Sequence, residues 1–309
     1  MPMTLADAQQ LTQSTLIRGI IQVIITESAV LRYLPFVNIN GDGLSYNKEA
    51  TLPTATFFAP LDTWTESVVD IATIVTDQLT IISDDADIDN FYADVFSDKQ
   101  DLTALTIEEQ AKAIAYKYND GFFNGDGTSN AFKGLHKKAT DVNAAVTTMV
   151  FDATHRLSSN GANGAALSLS DMDVLIDAIK PGKPDALFMS KRSRRSLKAL
   201  KRASGGGVVE TTTDAFGRQV QSYDDIPLLV DDNIADTYTV GSSTTTSRIY
   251  AVKFGFRTGI LGIQNGGIRV VPIGNLETKD AIRRRIKWYS GLTHFGAVWS
   301  FAELQGVLP

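Results

Sequence analysis

An α+β fold is predicted by three features of this 309-residue chain: one long helix closed by a glycine-rich reversal, two β-branched limbs around a proline-bracketed segment, and a later strand, helix, strand succession. The helix is read from Thr106 to Phe123, where Ile107, Ala111, Ile114, Ala115 and Tyr118 recur at three- and four-residue spacing. Thr106 with Glu109 gives a capping-box start, and Gly121 ends the pattern. Asn124-Gly125-Asp126-Gly127 then tolerates positive φ, so the chain reverses before Phe132 and Leu135 rejoin a packed layer.

Taken in order, residues 1–40 form an N-terminal arm with an amphipathic pattern at Leu5, Ala8, Leu11, Leu16, Ile20 and Ile24, ending at Pro35 and the turn pair Asn40-Gly41. Its apolar stripe is expected to pack on a neighbouring copy, with its own core as the alternative. Residues 41–88 read as an extended β-hairpin loop, with limbs Leu44 to Leu52 and Val68 to Ile82, and with Pro53 and Pro60 bracketing Thr54 to Ala59. Limbs of a dozen residues at ~3.3 Å each reach on the order of 40 Å, and a two-stranded ribbon of that kind is marginal alone in water. Phe57, Phe58 and Trp64 on it therefore need another surface, which makes them candidates for contact between subunits; folding back on their own domain is the bland alternative.

Residues 89–164 hold the long helix, the glycine turn and a second helix from Val142 to Leu157, broken by Asn160-Gly-Ala-Asn-Gly164. Residues 165–275 read as a mixed α/β unit. Ser170-Asp-Met-Asp173 caps a short helix ending at Pro181, and Asp185 to Ser190 is a buried strand. Ser190 caps a basic helix to Ala203, Ser204-Gly-Gly-Gly207 is a mobile loop, and Asn265-Gly266-Gly267 turns a hairpin between Gly259–Ile263 and Ile268–Val271. Within residues 276–309, Ala281 to Tyr289 reads as a long strand.

The helix with its glycine turn, Asp120 to Leu135, resembles the spine helix and following loop of tailed-bacteriophage major capsid proteins. The resemblance runs from about Gly41 to Val307 and includes Phe216-Gly-Arg-Gln, Asp225-Ile-Pro-Leu-Leu-Val-Asp231 and Arg248-Ile-Tyr-Ala-Val-Lys-Phe-Gly255, which are similar to recurrent strands and turns of the apical domain. The order of parts is the stronger sign. It implies the Hong Kong 97-like capsid fold: N-terminal arm, extended β-hairpin loop, spine-helix peripheral domain and mixed α/β apical domain, with residues 276–309 crossing back to the layer of the long helix through the Ala281 to Tyr289 strand. It implies in turn a non-enzymatic major capsid protein that forms hexamers and pentamers of an icosahedral head, assembled in the bacterial host cytoplasm around non-specifically held double-stranded DNA. A separate scaffolding protein, a portal and, where present, a decoration protein are the partners implied, because no scaffolding extension precedes the arm. Encapsulin nanocompartments share the fold, so a cargo shell is the runner-up.

Charge is unevenly distributed. Up to residue 100 the only basic residues are Arg18, Arg32, Lys48 and Lys99, set against many carboxylates, among them Asp84, Asp85, Asp87 and Asp89. Lys191, Arg192, Arg194, Arg195, Lys198, Lys201 and Arg202 crowd one helix, and Arg283, Arg284, Arg285 and Lys287 one strand. Opposite signs on one chain suit head-to-tail contacts between copies, which makes Arg194, Arg195, Arg283, Arg284 and Arg285 further contact candidates; solvated faces are the alternative. A DNA-binding protein is a second functional class, opposed by the net charge of −6 and the absence of aromatics in the basic helix.

Catalytic and cofactor chemistry is not expected. His136, His155 and His294 are isolated in sequence. Gly125-Asp-Gly-Thr128 follows a helix instead of opening one and lacks the Walker lysine, and Phe122 sits at a ligand position of any EF-hand reading of Asp120 to Asp126. The run Asp84 to Asp89 reads as an exposed acidic turn. With no cysteine there is neither disulfide nor thiolate metal site, and Ile20 to Ile25 is far short of the ~20 residues a membrane span needs.

Overall fold

The computed structural model describes residues 3–4, 19–20, 23, 28–48, 55–64, 73–95, 102–145, 156–158, 163–180, 182–203, 210–213, 219–294 and 299–308. In chain order the elements are β1 (Met3–Thr4), α1 (Ala29–Tyr33), β2 (Pro35–Asn38), β3 (Gly43–Lys48), β4 (Thr73–Gln78), β5 (Thr80–Asp89), α2 (Asn90–Val95), α3 (Leu102–Asn124) and α4 (Leu135–Ala145). There follow β6 (Arg156–Ser158), β7 (Ala165–Ala166), α5 (Leu169–Asp177), β8 (Ala186–Met189), α6 (Lys191–Ala203), β9 (Glu210–Thr213), β10 (Gln219–Tyr223), β11 (Ile226–Val230) and β12 (Tyr238–Val240). The last four are β13 (Ser243–Val252), β14 (Ile260–Asn275), β15 (Ala281–His294) and β16 (Phe301–Leu308).

Among the described residues, these strands form a five-stranded sheet ordered β1-β2-β14-β15-β5, a mixed sheet ordered β6-β16-β13-β8-β11-β10-β9 with β12 beside β13 and β7 beside β16, and the separate ribbon β3-β4. Helix α3 joins the two sheets. Its stripe of Ile107, Ala111, Ile114, Ala115, Tyr118 and Phe122 is buried as the periodicity requires. Tyr118 stacks on Trp288 of β15 with ring centroids 4.9 Å apart, and Phe36 of β2 lies 5.4 Å from the same indole. One turn on, Phe123 packs against Phe188 of β8 at 5.6 Å and Tyr250 of β13 at 5.4 Å. Strand alternation divides the mixed sheet's two faces: Phe188, Tyr250 and Val252 face α3, while Leu187, Met189, Ile249 and Ala251 pack with Met172, Leu175 and Ile176 of α5 and Leu197 of α6.

The reversal after α3 is built on close backbone approach. A Cβ at Gly134 would stand 2.5 Å from the Gly121 carbonyl oxygen, and one at Gly125 would stand 2.3 Å from that of Phe132. The Gly134 amide donates to the Gly125 carbonyl at 2.8 Å, and Asp126 Oδ1 accepts from the Thr128 amide at 2.9 Å. The turn therefore forms as the sequence predicts, but the helix boundaries differ from the predicted ones. Helix α3 begins at Leu102, which puts Thr106 in its interior, and it runs through Gly121 to Asn124 because the missing side chain at Gly121 lets the Phe132 ring lie against the helix.

Other expectations are corrected in the same way. The short helix of the second unit is capped by Ser168, not Ser170, through a capping box with Asp171. Ser190 does cap α6, accepting from the Ser193 amide at 3.2 Å. Asn265-Gly266-Gly267 is no hairpin turn: β14 continues through it as a bulge, with Gln264 opposite Ser290 and Ile268 opposite Trp288. The acidic run Asp84 to Asp89 is no turn either but the body of strand β5, paired antiparallel with β15. Leu157, expected in a helix, lies in β6 beside β16, whereas residues 146–155 fall outside the described residues. So do the apolar stripe Leu5 to Leu16 and the Ser204 to Gly207 loop. Ile20, by contrast, is described and buried in the chain's own core.

Replacing Gly134 by Ala is expected to lower the melting temperature by an amount equivalent to about 2 kcal/mol or more, because backbone surrounds the position. Differential scanning fluorimetry of Gly134→Ala and of the exposed control Ala199→Ser, which should stay within about 0.5 kcal/mol, checks this.

Candidate assembly surfaces

The ribbon has one face anchored and one face bare. Strands β3 and β4 pair antiparallel from Gly43 opposite Gln78 to Lys48 opposite Thr73, along the limbs expected at Leu44 to Leu52 and Val68 to Ile82, whereas from Thr80 the chain leaves the ribbon to pair with β15. Its anchored face places Tyr46 and Asp77 against the body. Lys138 of α4 sits 2.5 Å from Asp77 Oδ1, with the two side chains 7% and 6% exposed, and the Tyr46 hydroxyl donates to Asp77 Oδ2 at 3.0 Å. Burial alone would raise the Asp77 carboxyl, but the Lys138 ammonium and hydrogen bonds from Lys138, Thr293 and Tyr46 more than offset it and hold it below the ordinary carboxylate range. Burial, followed by the Asp77 charge, pushes the Tyr46 phenol upward, which keeps it a donor.

Helix α4 holds a second charged node two residues away, on another face of the helix. Glu303 of β16 is wholly buried, with His136 Nδ1 at 3.0 Å and Arg248 Nε at 3.3 Å, and the Arg248 guanidinium lies 3.7 Å from the Tyr238 ring centroid. One helix thus ties the ribbon base to the mixed sheet through two buried carboxylates. Nothing in the local sequence around either carboxylate marks them; only the fold brings Asp77 within reach of a lysine 61 positions away.

Beyond the anchored base, the arch carries the aromatic candidates. Phe57 is fully exposed, as is Leu61, and Trp64 is 81% exposed; Phe58 stacks on Trp64 at 5.4 Å with the rings 3° from parallel. Asp62 closes the arch by accepting from the Ala59 amide at 2.7 Å. These side chains do not fold back onto the body, and Ile74 on β4 is bare as well. Each large apolar side chain left in water forgoes roughly 1.5 to 3 kcal/mol of burial.

The arginine candidates divide. Arg283 makes paired contacts with Asp87 at 2.5 and 2.8 Å, and Arg285 does the same with Asp85 at 2.6 and 2.7 Å. The β15 to β5 register sets these partners directly opposite each other, so the acidic and basic runs of the sequence meet within one chain. The Arg283 hydrogen bond and then that of Lys279 hold Asp87 well below the usual carboxylate range, and the Arg285 hydrogen bond does the same for Asp85. Arg284 lies opposite Ala86 on the other face of the strand. On α6, Arg195 is exposed and Arg194 half-buried.

Among the described residues no group of three or more metal-ligating side chains converges, and no helix is long and apolar enough to cross a membrane. His294 is buried with Nε2 2.9 Å from Ser300 Oγ, a structural placement like that of His136.

Compared with known proteins, residues 9–271 match the phage capsid family. No curated protein matches the sequence. Among solved structures the chain is similar to the holo-SrpI encapsulin complex from Synechococcus elongatus PCC 7942, with a TM-score of 0.68 at 13% identity over 98% of this chain and 95% of that one. It is similar to the capsid of a native GTA particle, with a TM-score of 0.62 at 15% identity over 91% and 90% of the two chains. It also resembles Microbacterium phage Oxtober96, with a TM-score of 0.63 at 14% identity over 91% of each. Likeness at these identities shows a shared fold, the Hong Kong 97-like one.

Lys138→Met should cost about 3 to 5 kcal/mol at neutral pH, since it strands a buried carboxylate. The sign with pH follows from the depressed Asp77 pKa: the stability it lends is present above the unfolded-state value near ~4 and is lost as pH falls through the lower folded value. In the variant, protonation of the unpaired Asp77 relieves the cost. Melting curves of both proteins between about pH 3 and 7 should therefore converge on the acid side; a gap that stays constant would show that the loss does not come from the stranded Asp77 charge.

Proposed function

The chain belongs to the phage capsid family, and from that membership we propose that it is the major capsid protein of an icosahedral tailed-phage head, a structural subunit without a catalytic step. Membership makes it a component of a virion shell built from many copies. The observation that carries the mechanism is the half-satisfied ribbon: a base fixed by the buried Asp77 and Lys138 pair, and an arch whose Phe57, Leu61 and Trp64 are bare. A rigid base aims the arch outward, and a neighbouring copy covers it. Burying those aromatics is worth several kcal/mol that a lone subunit does not obtain.

In this reading the ribbon and the N-terminal arm overlap neighbours within hexamers and pentamers, giving head-to-tail contacts that close into rings. Residues 165–275 serve as the apical domain at the ring centre, and residues 89–164 with 276–309 form the peripheral body. The subunit contact set exceeds about 2,000 Å². Arg284, and Arg194 and Arg195 on α6, remain open to partners outside the chain, whereas Arg283 and Arg285 stiffen the long sheet that presents them. Packaged double-stranded DNA, a separate scaffolding protein, a portal and a decoration protein complete the particle, which assembles in the bacterial cytoplasm.

The likeness to the encapsulin complex over 98% of the chain favours one second reading, a cargo shell. Expression of the chain alone separates the two: uniform small closed particles in negative stain support the cargo shell, while tubes, irregular shells or free capsomers that close only with a scaffold support the phage head.

Deleting Leu52 to Glu66 is expected to abolish particles of any kind while the subunit still melts cooperatively, because Tyr46, Asp77 and Lys138 remain. Normal particles from the deleted chain would refute docking through the arch.

A further inference from the structure

Helix α6 has a charged face that the assembly contacts above do not use. Ser193 and Leu197 are buried, and Leu200 packs on the same cluster, on the face of the mixed sheet away from α3 and α4. At 3.6 residues per turn, Lys191, Arg195, Lys198 and Arg202 align in one narrow stripe on the opposite side. The chain neutralises only the start of the helix: Lys191 pairs with Asp232 at 2.7 Å, and Arg192 pairs with Asp236 at 3.4 Å and donates to the Thr245 carbonyl at 2.7 Å. Among the described residues, no carboxylate lies within ion-pair distance of Arg195, Lys198 or Arg202. Beside them, Arg194 Nε is withdrawn from solvent with no acceptor.

The spacing favours one class of partner. From Arg195 to Arg202 the helix rises about 10 Å, a length over which one strand of a duplex presents about three phosphates at ~3.4 Å each. Two of the three cations are arginines, whose planar forks match phosphate oxygens. The helix carries no aromatic residue on which an unpaired base could stack, so the backbone of a duplex fits better than a single strand. Specificity for sequence is not expected, because phosphate contacts position a duplex without reading it.

We propose that the solvent face of α6, through Arg195, Lys198 and Arg202, is the surface by which this subunit contacts the phosphate backbone of duplex DNA. The inference rests on the capsid reading and names the surface that meets the packaged polyanion. Three contacts give log K a slope near −2.7 against log salt, which makes binding about 40-fold weaker at 200 mM than at 50 mM salt. That is weak enough to hold DNA against a wall without fixing its path.

The test uses the full chain, as capsomers or particles, titrated with a fluorescent duplex of about 30 base pairs across that salt range. The variant combines Arg195→Gln, Lys198→Gln and Arg202→Gln; a second replaces Arg195 and Arg202 by Lys, keeping the charge. The glutamine variant should lose a slope of about 2 to 3 together with most of its low-salt affinity, whereas the lysine variant keeps the slope. Absence of duplex binding by the unaltered protein, an unchanged slope in the glutamine variant, or tighter binding of polyglutamate than of duplex would each overturn the proposal, the last assigning the stripe to an acidic protein segment. Negative-stain imaging of the same samples reports separately on the shell: capsomers or particles that form but ignore DNA refute only the stripe, while a chain that forms neither capsomers nor particles, with or without a scaffold, refutes the capsid reading whatever its affinity for DNA.

Discussion

Everything in this subunit is organised by one helix that must satisfy two sheets. Tyr118 stacks on Trp288 of the long sheet, and a turn later Phe123 fills the space against Phe188 and Tyr250 of the mixed sheet. Because the rings of one helix serve both cores, the sheets share a single cluster of buried side chains instead of resting on separate ones. The glycine reversal follows from that geometry. The chain has to leave the helix immediately beyond Phe123 and come back with Phe132 against Gly121, and side chains at Gly125 or Gly134 would collide with backbone.

The second organising element is the return helix α4, which carries charge where α3 carries aromatics. His136 and Lys138 each meet a buried carboxylate, Glu303 in the mixed sheet and Asp77 at the foot of the ribbon. Buried ion pairs of this sort add little net stability over well-packed apolar side chains, but breaking one is costly. Their effect here is orientation. A ribbon held only by apolar contact could slide, whereas one pinned by a paired charge and a phenol keeps a single direction at its base. The exposed ion pairs across β5 and β15 have the complementary role of keeping a long sheet in register at its outer face, Arg283 to Asp87 and Arg285 to Asp85.

Much of this was legible in the chain. The period-four stripe of α3, the glycine turn, the hairpin limbs, the Ser190 cap of α6 and the exposed aromatics of the arch all follow from local patterns, because each depends on residues close in sequence. Where the sequence reading failed, a distant partner had overruled a local signal. Asn265-Gly266-Gly267 has the chemistry of a hairpin turn, yet β15 offers a continuous ladder and the glycines become a bulge within it. Gly121 has the chemistry of a helix stop, yet the ring of Phe132 needs the gap it leaves. Asp84 to Asp89 has the composition of a solvated turn, yet an arginine-rich strand lies opposite and pairs with it residue for residue.

The sequence by itself determined the class of fold and the family, and it marked the arch as apolar and extended, since periodicity, turn chemistry and apolar content are properties of neighbouring residues. Tertiary structure alone decided how the charges are used. Coulomb attraction and hydrogen bonding act over a few ångströms in space whatever the separation along the chain, so no reading of the acidic and basic runs could tell that Arg283 and Arg285 are consumed within the subunit, that Lys138 reaches back to Asp77, and that Arg195, Lys198 and Arg202 are left facing outward.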